Sequence, residues 1–313
     1  MITQPFQWIP GSRQDKNALA RLQSAFPRPR SPMGEAWFMG EKRRMFTELM
    51  GDLAALPTDD LTKPLVEIAT GTGSFGPRQE WSDWFHYLLG RLLPLVHSDE
   101  DLPHSLITAF MSQYPHGIAR EPYKGFRADV LNTLGRTMMD PACWMGDRIV
   151  IGSLLHRGVW PSGMWNWFDV SEDLSASAFF CLKYLSADEI APWTRSALAI
   201  PCPHWRAQIL VWLVGAHGVL TGDVRQPSEF DDIWPRIRWH WSHCLNGKRF
   251  ADGPVPDSFF PLENCQQMRD AVTSTMSEDK MLDWLASFAE YDYLEAELAD
   301  LPSRFCELYL PNY

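Results

Sequence analysis

A short motif of histidine and cysteine is the first place where the sequence gathers residues capable of chemistry. His240, His243 and Cys244 form an H-x-x-H-C pattern, and His217 precedes them. Imidazole and thiolate are good zinc ligands, and the spacing i, i+3, i+4 places all three on one face of a helix. No H-E-x-x-H or C-x-x-C motif accompanies them, so ordinary core or surface histidines are the alternative. We assign no metal ligand and no cofactor from the sequence.

A glycine-rich turn offers a second kind of chemistry. Gly71, Gly73 and Gly76 have the G-x-G-x-x-G spacing that lets a backbone approach a phosphate or a ribose. Leu65–Ala69, ahead of them, could form a strand, and a helical pattern follows. The run VEIATGTG, which ends at the second glycine, resembles the first motif of S-adenosylmethionine-dependent methyltransferases. The resemblance implies that the turn holds that cofactor, and that an acidic residue at the end of the next strand holds its ribose.

The residues after the glycines argue against that next strand. Apolar side chains recur there at i, i+3, i+4, i+7, i+8 and i+11, which is the stripe of an amphipathic helix (Trp81, Trp84, Phe85, Leu88, Leu89 and Leu92). Pro94 then ends or kinks the helix. We therefore interpret the glycines as a flexible loop before a core helix, with a methyltransferase as the alternative.

An aromatic segment, residues 158–169, holds three tryptophans within eight residues and is punctuated by glycine and proline. We interpret it as a loop that packs into the core, forms a contact surface or cages a ligand. As partner-binding residues we name Trp160, Trp165, Trp167 and Asp169. No G-x-S-x-G motif or other catalytic pattern occurs, so no catalytic residue is assigned.

Charge limits the class of partner. The 313 residues carry a formal net charge of −11, which argues against binding to nucleic-acid phosphates. The imbalance is strongest in residues 251–313, where thirteen Asp and Glu stand against three Lys and Arg. Such an acidic end suits a solvated surface or a basic protein partner.

The cysteines and the N-terminus suggest a compartment. Six cysteines are scattered without a C-x-x-C motif, which predicts thiols in a reducing environment. The first residues show no signal-peptide pattern, and the longest apolar run, Ile209–Ala216, is too short to cross a bilayer. We expect a cytoplasmic protein that does not enter a membrane.

The elements that must position these residues are helices. Ser186 and Glu189 have the spacing of a capping box, and Trp205–Val214 is apolar nearly all round, which predicts a buried central helix. The predicted helices are Asp15–Phe26, Gly34–Leu56, Phe126–Met139, Leu174–Leu185, Ala187–Ile200, His204–His217, Ser228–Leu245 and two or three within 261–310. The expected class is all-α, a multi-helical array of antiparallel helix pairs loosely like a HEAT solenoid, with little or no β-structure.

The predicted organisation has three parts: an N-terminal arm and Pro-rich linker over 1–33, a main helical domain over 34–245, and an acidic helical segment over 246–313 packed on it. Acidity, the tryptophan-rich segment and the lack of catalytic motifs together favour a protein-binding scaffold over an enzyme. One version is an inhibitor or immunity-type protein that neutralises a basic toxin or nuclease. A hydrolase without a recognisable motif is a further hypothesis.

Overall fold

The computed structural model describes residues 6, 8–9, 11–38, 41–71, 78–96, 102–140, 155–159, 165–245 and 257–310. These residues are mostly helical, which confirms the all-α class, and they add two short antiparallel hairpins. The α-helices are α1 (Lys16–Ala25), α2 (Thr58–Gly71), α3 (Arg78–Leu92), α4 (Leu102–Gln113), α5 (Phe126–Thr133), α6 (Glu172–Tyr184), α7 (Ala187–Leu198), α8 (Pro203–Thr221), α9 (Leu262–Thr275), α10 (Glu278–Ala289), α11 (Asp292–Leu298) and α12 (Leu301–Tyr309). The strands are β1 (Glu35–Phe38), β2 (Glu41–Arg44), β3 (Leu155–Val159) and β4 (Trp165–Val170).

Several helices begin where a polar side chain caps them. The Asp15 carboxylate accepts the backbone N–H groups of residues 17 and 18 at the start of α1. Ser171 caps α6, and Ser186 with Glu189 forms the predicted capping box of α7. These caps satisfy N–H groups that have no partner within the helix. The predicted helices over 174–185, 187–200 and 204–217 are confirmed as α6, α7 and α8.

The apolar stripe after the glycines is confirmed as the buried face of α3, since all six of its side chains are buried. The strand proposed ahead of the glycines is wrong, because Leu65–Ala69 lies inside α2. Leu61, Leu65 and Ile68 are buried and recur at the spacing of a helix. Burial of this helical face outweighs the preference of the segment's β-branched residues for a strand. Gly73 and Gly76 lie outside the described residues.

The helix predicted over Gly34–Leu56 is also wrong. β1 and β2 pair there as a hairpin, with Glu35 opposite Arg44, and two short 3-10 helices follow. Gly34 has φ of 70°, which a right-handed helix cannot include. A Cβ at this position would lie 2.6 Å from the Trp81 ring, so the contact with α3 requires glycine.

The helix predicted over Ser228–Leu245 is replaced by irregular backbone. A 3-10 helix covers Pro227–Asp232, another covers Ser242–Cys244, and the residues between them are not helical. Pro235 has no N–H to donate within a helix. The segment instead makes hydrogen bonds with α4 and α6, as described below.

The tryptophan-rich segment is a hairpin rather than a loop where the structure describes it. β3 and β4 are antiparallel, with Leu155 opposite Val170 and Val159 opposite Trp165. The register is irregular between His156 and Gly158.

A single buried core runs through the described residues, from Phe6 near the N-terminus to Leu310. In it α4 packs on α2 and α6, α7 packs on α9, and α8 packs on α12. The helices of the acidic C-terminal part therefore contact α7 and α8. The three-part division and the solenoid arrangement both stay predictions.

Helix α8 is the central helix expected from its apolar sequence. Its 19 residues are buried along most of their length, on all sides. Across the ranges that the structure describes, neither α8 nor any other helix combines the length and apolarity needed to cross a bilayer.

Candidate metal centre

The H-x-x-H-C motif does not come together as one ligand set. His240 precedes the short 3-10 helix that contains His243 and Cys244, and Trp241 between them has φ of 66°. The three side chains therefore do not share the helical face that the sequence predicted. His217 lies in α8 and packs against Tyr309 of α12, at 5.4 Å between ring centroids. Within the part of the chain that the structure describes, His240 is the one member of the motif that enters a cluster of possible metal ligands.

His104 is the buried member of that cluster. It lies in the first turn of α4 and is 3% exposed. Its Nδ1 lies 2.9 Å from Asp173 Oδ1, and the same oxygen accepts the His104 backbone N–H at 3.2 Å. Because an ionised carboxylate can only accept, the ring proton belongs on Nδ1, and Nε2 carries the lone pair.

Asp173 fixes the orientation of the His104 ring through the hydrogen bond at Nδ1. The carboxylate is 3% exposed at the start of α6. Burial raises the pKa of the Asp173 carboxyl, and the hydrogen bonds from His104 oppose that rise. A carboxylate that accepts the N–H of a histidine ring fixes the tautomer and makes the other nitrogen a better metal ligand.

Glu172 and His240 complete the cluster. His104 Nε2 lies 3.6 Å from Glu172 Oε2, and that oxygen accepts the backbone N–H of His240 at 2.7 Å. One ligand atom from each of the three residues lies within 4.8 Å of the other two. Zinc bonds of about 2.0–2.2 Å in a tetrahedron put ligand atoms about 3.4 Å apart. The 3.6 Å between His104 Nε2 and Glu172 Oε2 is close to this spacing.

Burial decreases from one side of the centre to the other. His104 and Asp173 are buried, Glu172 is half-buried, and His240 is exposed. The rings of His104 and His240 stack with centroids 6.5 Å apart, and the Trp241 ring also stacks on His240, with centroids 4.8 Å apart. Three protein ligands leave a fourth position of a tetrahedral ion for water or another molecule, and solvent can reach this site.

Three contacts hold the His240 segment against the helices. Ser175 of α6 donates its hydroxyl to the Ile237 carbonyl, and the Trp239 indole donates to Thr108 Oγ1 of α4 at 2.8 Å. Gly215 of α8 lets the segment approach, because a Cβ there would lie 2.5 Å from the Pro235 carbonyl oxygen. The buried polar contacts thus place His240 beside residues 104 and 172.

The tryptophan-rich segment leads into this centre. Trp165, Trp167 and Asp169 lie in β4, which ends two residues before Glu172. Trp160 lies outside the described residues. The partner-binding role given to these four residues stays a prediction.

Sequence reasoning missed His104 and Glu172. His104 is a single histidine in the apolar run of α4, and Glu172 adjoins Asp173 at a helix start, so each has an ordinary structural interpretation. The ligands lie 68 or more positions apart along the chain, and no local motif connects them. A buried histidine in an apolar helix was the one available signal, because it needs a polar partner from elsewhere.

Comparisons of the chain with protein-family models, with curated proteins and with solved structures returned no match. No relative therefore supplies a role for any residue.

Proposed function

We propose that the protein binds a divalent metal ion of the zinc class through His104, Glu172 and His240. The observation that carries this proposal is the buried hydrogen bond between Asp173 and His104 Nδ1, which directs the lone pair of Nε2 to the other two ligands. Two imidazoles and one carboxylate form a ligand set that holds zinc in catalytic sites, with one position open. Nitrogen and oxygen donors of this kind also accept other first-row metals, so the class is proposed, not one element.

A bound ion of this class acts as a Lewis acid and lowers the pKa of a coordinated water toward about 7. The side chains have distinct tasks around it. Glu172 supplies negative charge, and the His240 backbone N–H restricts the position of that carboxylate. Asp173 keeps the His104 ring oriented. The ligands come from α4, α6 and the irregular segment, so a bound ion would link these three parts of the chain.

The test is metal titration of the purified, metal-stripped protein. Zn²⁺ is followed by calorimetry, and Co²⁺ by the visible absorption that becomes intense in four-coordinate sites. We expect one equivalent to bind, and His240→Ala to weaken binding at least about tenfold, since it removes one of three ligands. His243→Ala is the matched control, because it is exposed three residues away and outside the ligand cluster.

A second variant tests the carboxylate behind the histidine. Asp173→Asn keeps the shape of the side chain, and we expect it to weaken Zn²⁺ binding about 10–100-fold. The absence of binding at millimolar Zn²⁺ would overturn the proposal, as would equal affinity in His240→Ala. Because His240 is exposed, its substitution should leave the urea midpoint of the apo-protein unchanged, which separates ligand loss from unfolding.

We also propose, as a second function, that the chain is a scaffold that binds a basic protein. The net charge of −11 supports it, together with exposed carboxylates on the C-terminal helices, at positions 278, 279, 283, 290 and 292. An inhibitor or immunity-type role toward a basic toxin is one form of this proposal. The test is native mass spectrometry after incubation with basic candidate proteins, and failure to bind any of them at moderate salt contradicts it.

A cytoplasmic location is part of the second proposal. Among the described residues no cysteine forms a disulfide, which is the state expected in a reducing compartment. Labelling of the thiols in intact cells, compared with purified protein, tests the location. Oxidised cysteines in the cells would argue against it.

A further inference from the structure

The outer face of α10 carries an unusual apolar stripe. Five large apolar side chains are exposed among the residues that the structure describes, and two of them are Leu282 and Leu285. They are 56% and 37% exposed, and they lie three residues apart on one helix. The other three, Ile9, Trp234 and Leu262, lie in different parts of the chain. Single exposed apolar residues are ordinary, whereas neighbouring ones on one helical face form a patch that a partner can cover.

The stripe lies beside the buried face of α10. Met281, Trp284 and Phe288 are buried about 100° around the helix from the stripe, and α10 packs on α8. Positions 282, 285 and 289 recur at i, i+3 and i+7, which places Ala289 on the same outer face as the two leucines. Ala289 is exposed as well. The helix is therefore anchored by one apolar face and presents a second, narrower one.

Carboxylates border one side of this stripe. At 100° per residue, Asp279, Asp283 and Glu290 lie next to one another around the helix, beside Leu282. All three are exposed. Asp283 pairs with Arg206 of α8 at 3.1 Å, yet its side chain remains 64% exposed. The border therefore carries negative charge that a partner can reach.

We infer that the outer face of α10 is a docking surface for a basic amphipathic helix of a protein partner. This inference rests on the second proposed function and names the surface and the kind of partner. An apolar stripe at i, i+3 and i+7 matches the stripe of a second helix laid along it. The carboxylate border selects lysine and arginine beside that stripe.

Charge distinguishes this occupant from others. Anionic membranes and nucleic-acid phosphates are repelled by the carboxylate border. A second copy of the chain in the same contact would bring the same carboxylates together, and like charges across an interface are unfavourable. A basic amphipathic helix can pack its apolar side chains on the stripe and place its lysine and arginine side chains beside the carboxylate border.

The test uses two synthetic helical peptides with one leucine stripe each, the first flanked by lysine and the second by glutamate. We expect the lysine peptide to bind the full chain and the glutamate peptide not to bind, by fluorescence anisotropy. Leu282→Ser and Leu285→Ser should each weaken binding at least about tenfold. The double change Asp279→Asn with Asp283→Asn should weaken binding and flatten its dependence on salt. The matched control is Leu262→Ser, an equally exposed leucine on α9 that should change nothing.

The outcomes separate the inference from the function on which it rests. If the lysine peptide binds but Leu282→Ser has no effect, the surface is wrong while protein binding survives. If neither peptide binds, and no basic protein binds in native mass spectrometry, both are wrong. Equal binding of the glutamate peptide overturns the charge argument. A dimer in sedimentation that Leu282→Ser abolishes assigns the face to a second copy and also overturns the inference.

Discussion

Lys183 gives the structure its clearest energetic prediction. It lies in the last turn of α6 and is 6% exposed. Its Nζ donates to the Phe259 carbonyl at 2.6 Å and lies 3.6 Å from the Phe259 ring centroid. No carboxylate forms a salt bridge with this ammonium in the part of the chain that the structure describes. A buried charge with so little compensation destabilises the folded protein.

The size of that penalty follows from the pKa. Burial lowers the pKa of Lys183 from 10.5 to about 7. A difference of this size corresponds to about 5 kcal/mol between the protonation states. Since the folded pKa lies below the unfolded one, the unfolded chain binds more protons between pH 7 and 10.5. The contribution of Lys183 to stability is therefore favourable above pH 10.5 and is lost as the pH falls toward 7.

The perturbation is Lys183→Met, which keeps a long unbranched side chain, one atom shorter than lysine, and removes the charge. It also leaves the Phe259 carbonyl without its donor, which costs about 1–3 kcal/mol. At pH 7 we therefore expect the variant to be more stable than the wild type by about 1–4 kcal/mol. By pH 9.5 most of that advantage should disappear, because the wild-type amine is then neutral in the folded protein.

The assay is urea unfolding of both proteins at pH 7 and 9.5, followed by far-ultraviolet circular dichroism. The change in the difference between the two proteins isolates Lys183 from other groups that titrate in this range. Lys16→Met, at an exposed position of α1, controls for the substitution itself. A difference between Lys183→Met and wild type that is the same at both pH values would refute the reasoning.

Three further predictions concern other parts of the chain. Gly215→Ala places a Cβ 2.5 Å from the Pro235 carbonyl oxygen, so urea unfolding should show a loss of about 1–3 kcal/mol and metal titration a lower affinity. Burial lowers the pKa of His86, so the contribution of this side chain to stability is full above about pH 6.5 and falls as the pH drops. His86→Phe should therefore make the free energy of unfolding depend less on pH between pH 7.5 and 5, as measured by urea unfolding. Glu189→Gln removes the carboxylate that pairs with Arg127 at 2.5 Å and should lower the free energy of unfolding by about 1–3 kcal/mol, whereas an unchanged midpoint would contradict this.

The helices that the sequence predicted correctly have local causes. α3 and α6 to α8 combine apolar stripes or runs with proline punctuation and, at Ser186 and Glu189, a capping box. Those signals act within a few residues of each other, so a pattern along the chain is sufficient to find them.

The errors have non-local causes. Gly34 starts a hairpin because the Trp81 ring needs its space, and the segment after Pro235 is irregular because it lies along α8 at Gly215. Neither contact produces a periodic pattern in the sequence around Gly34 or Pro235. The metal centre has the same origin, since His104 and Glu172 meet His240 only after the segment has docked. Composition and spacing consequently predicted the class of the fold but not the candidate site.

The polar residues of α6 show why the site lies where it does. A buried helix satisfies its own backbone, whereas an irregular segment must find partners for its N–H and C=O groups outside itself. α6 supplies them: Ser175 donates to the Ile237 carbonyl, Lys183 donates to a second irregular segment, and Glu172 accepts the His240 N–H. The Glu172 carboxylate, a proposed metal ligand, thus also binds the backbone of His240, which carries another of the proposed ligands. Docking of that segment and assembly of the ligand set are therefore one event, and a variant that releases the segment should lose the metal before it loses the helical core.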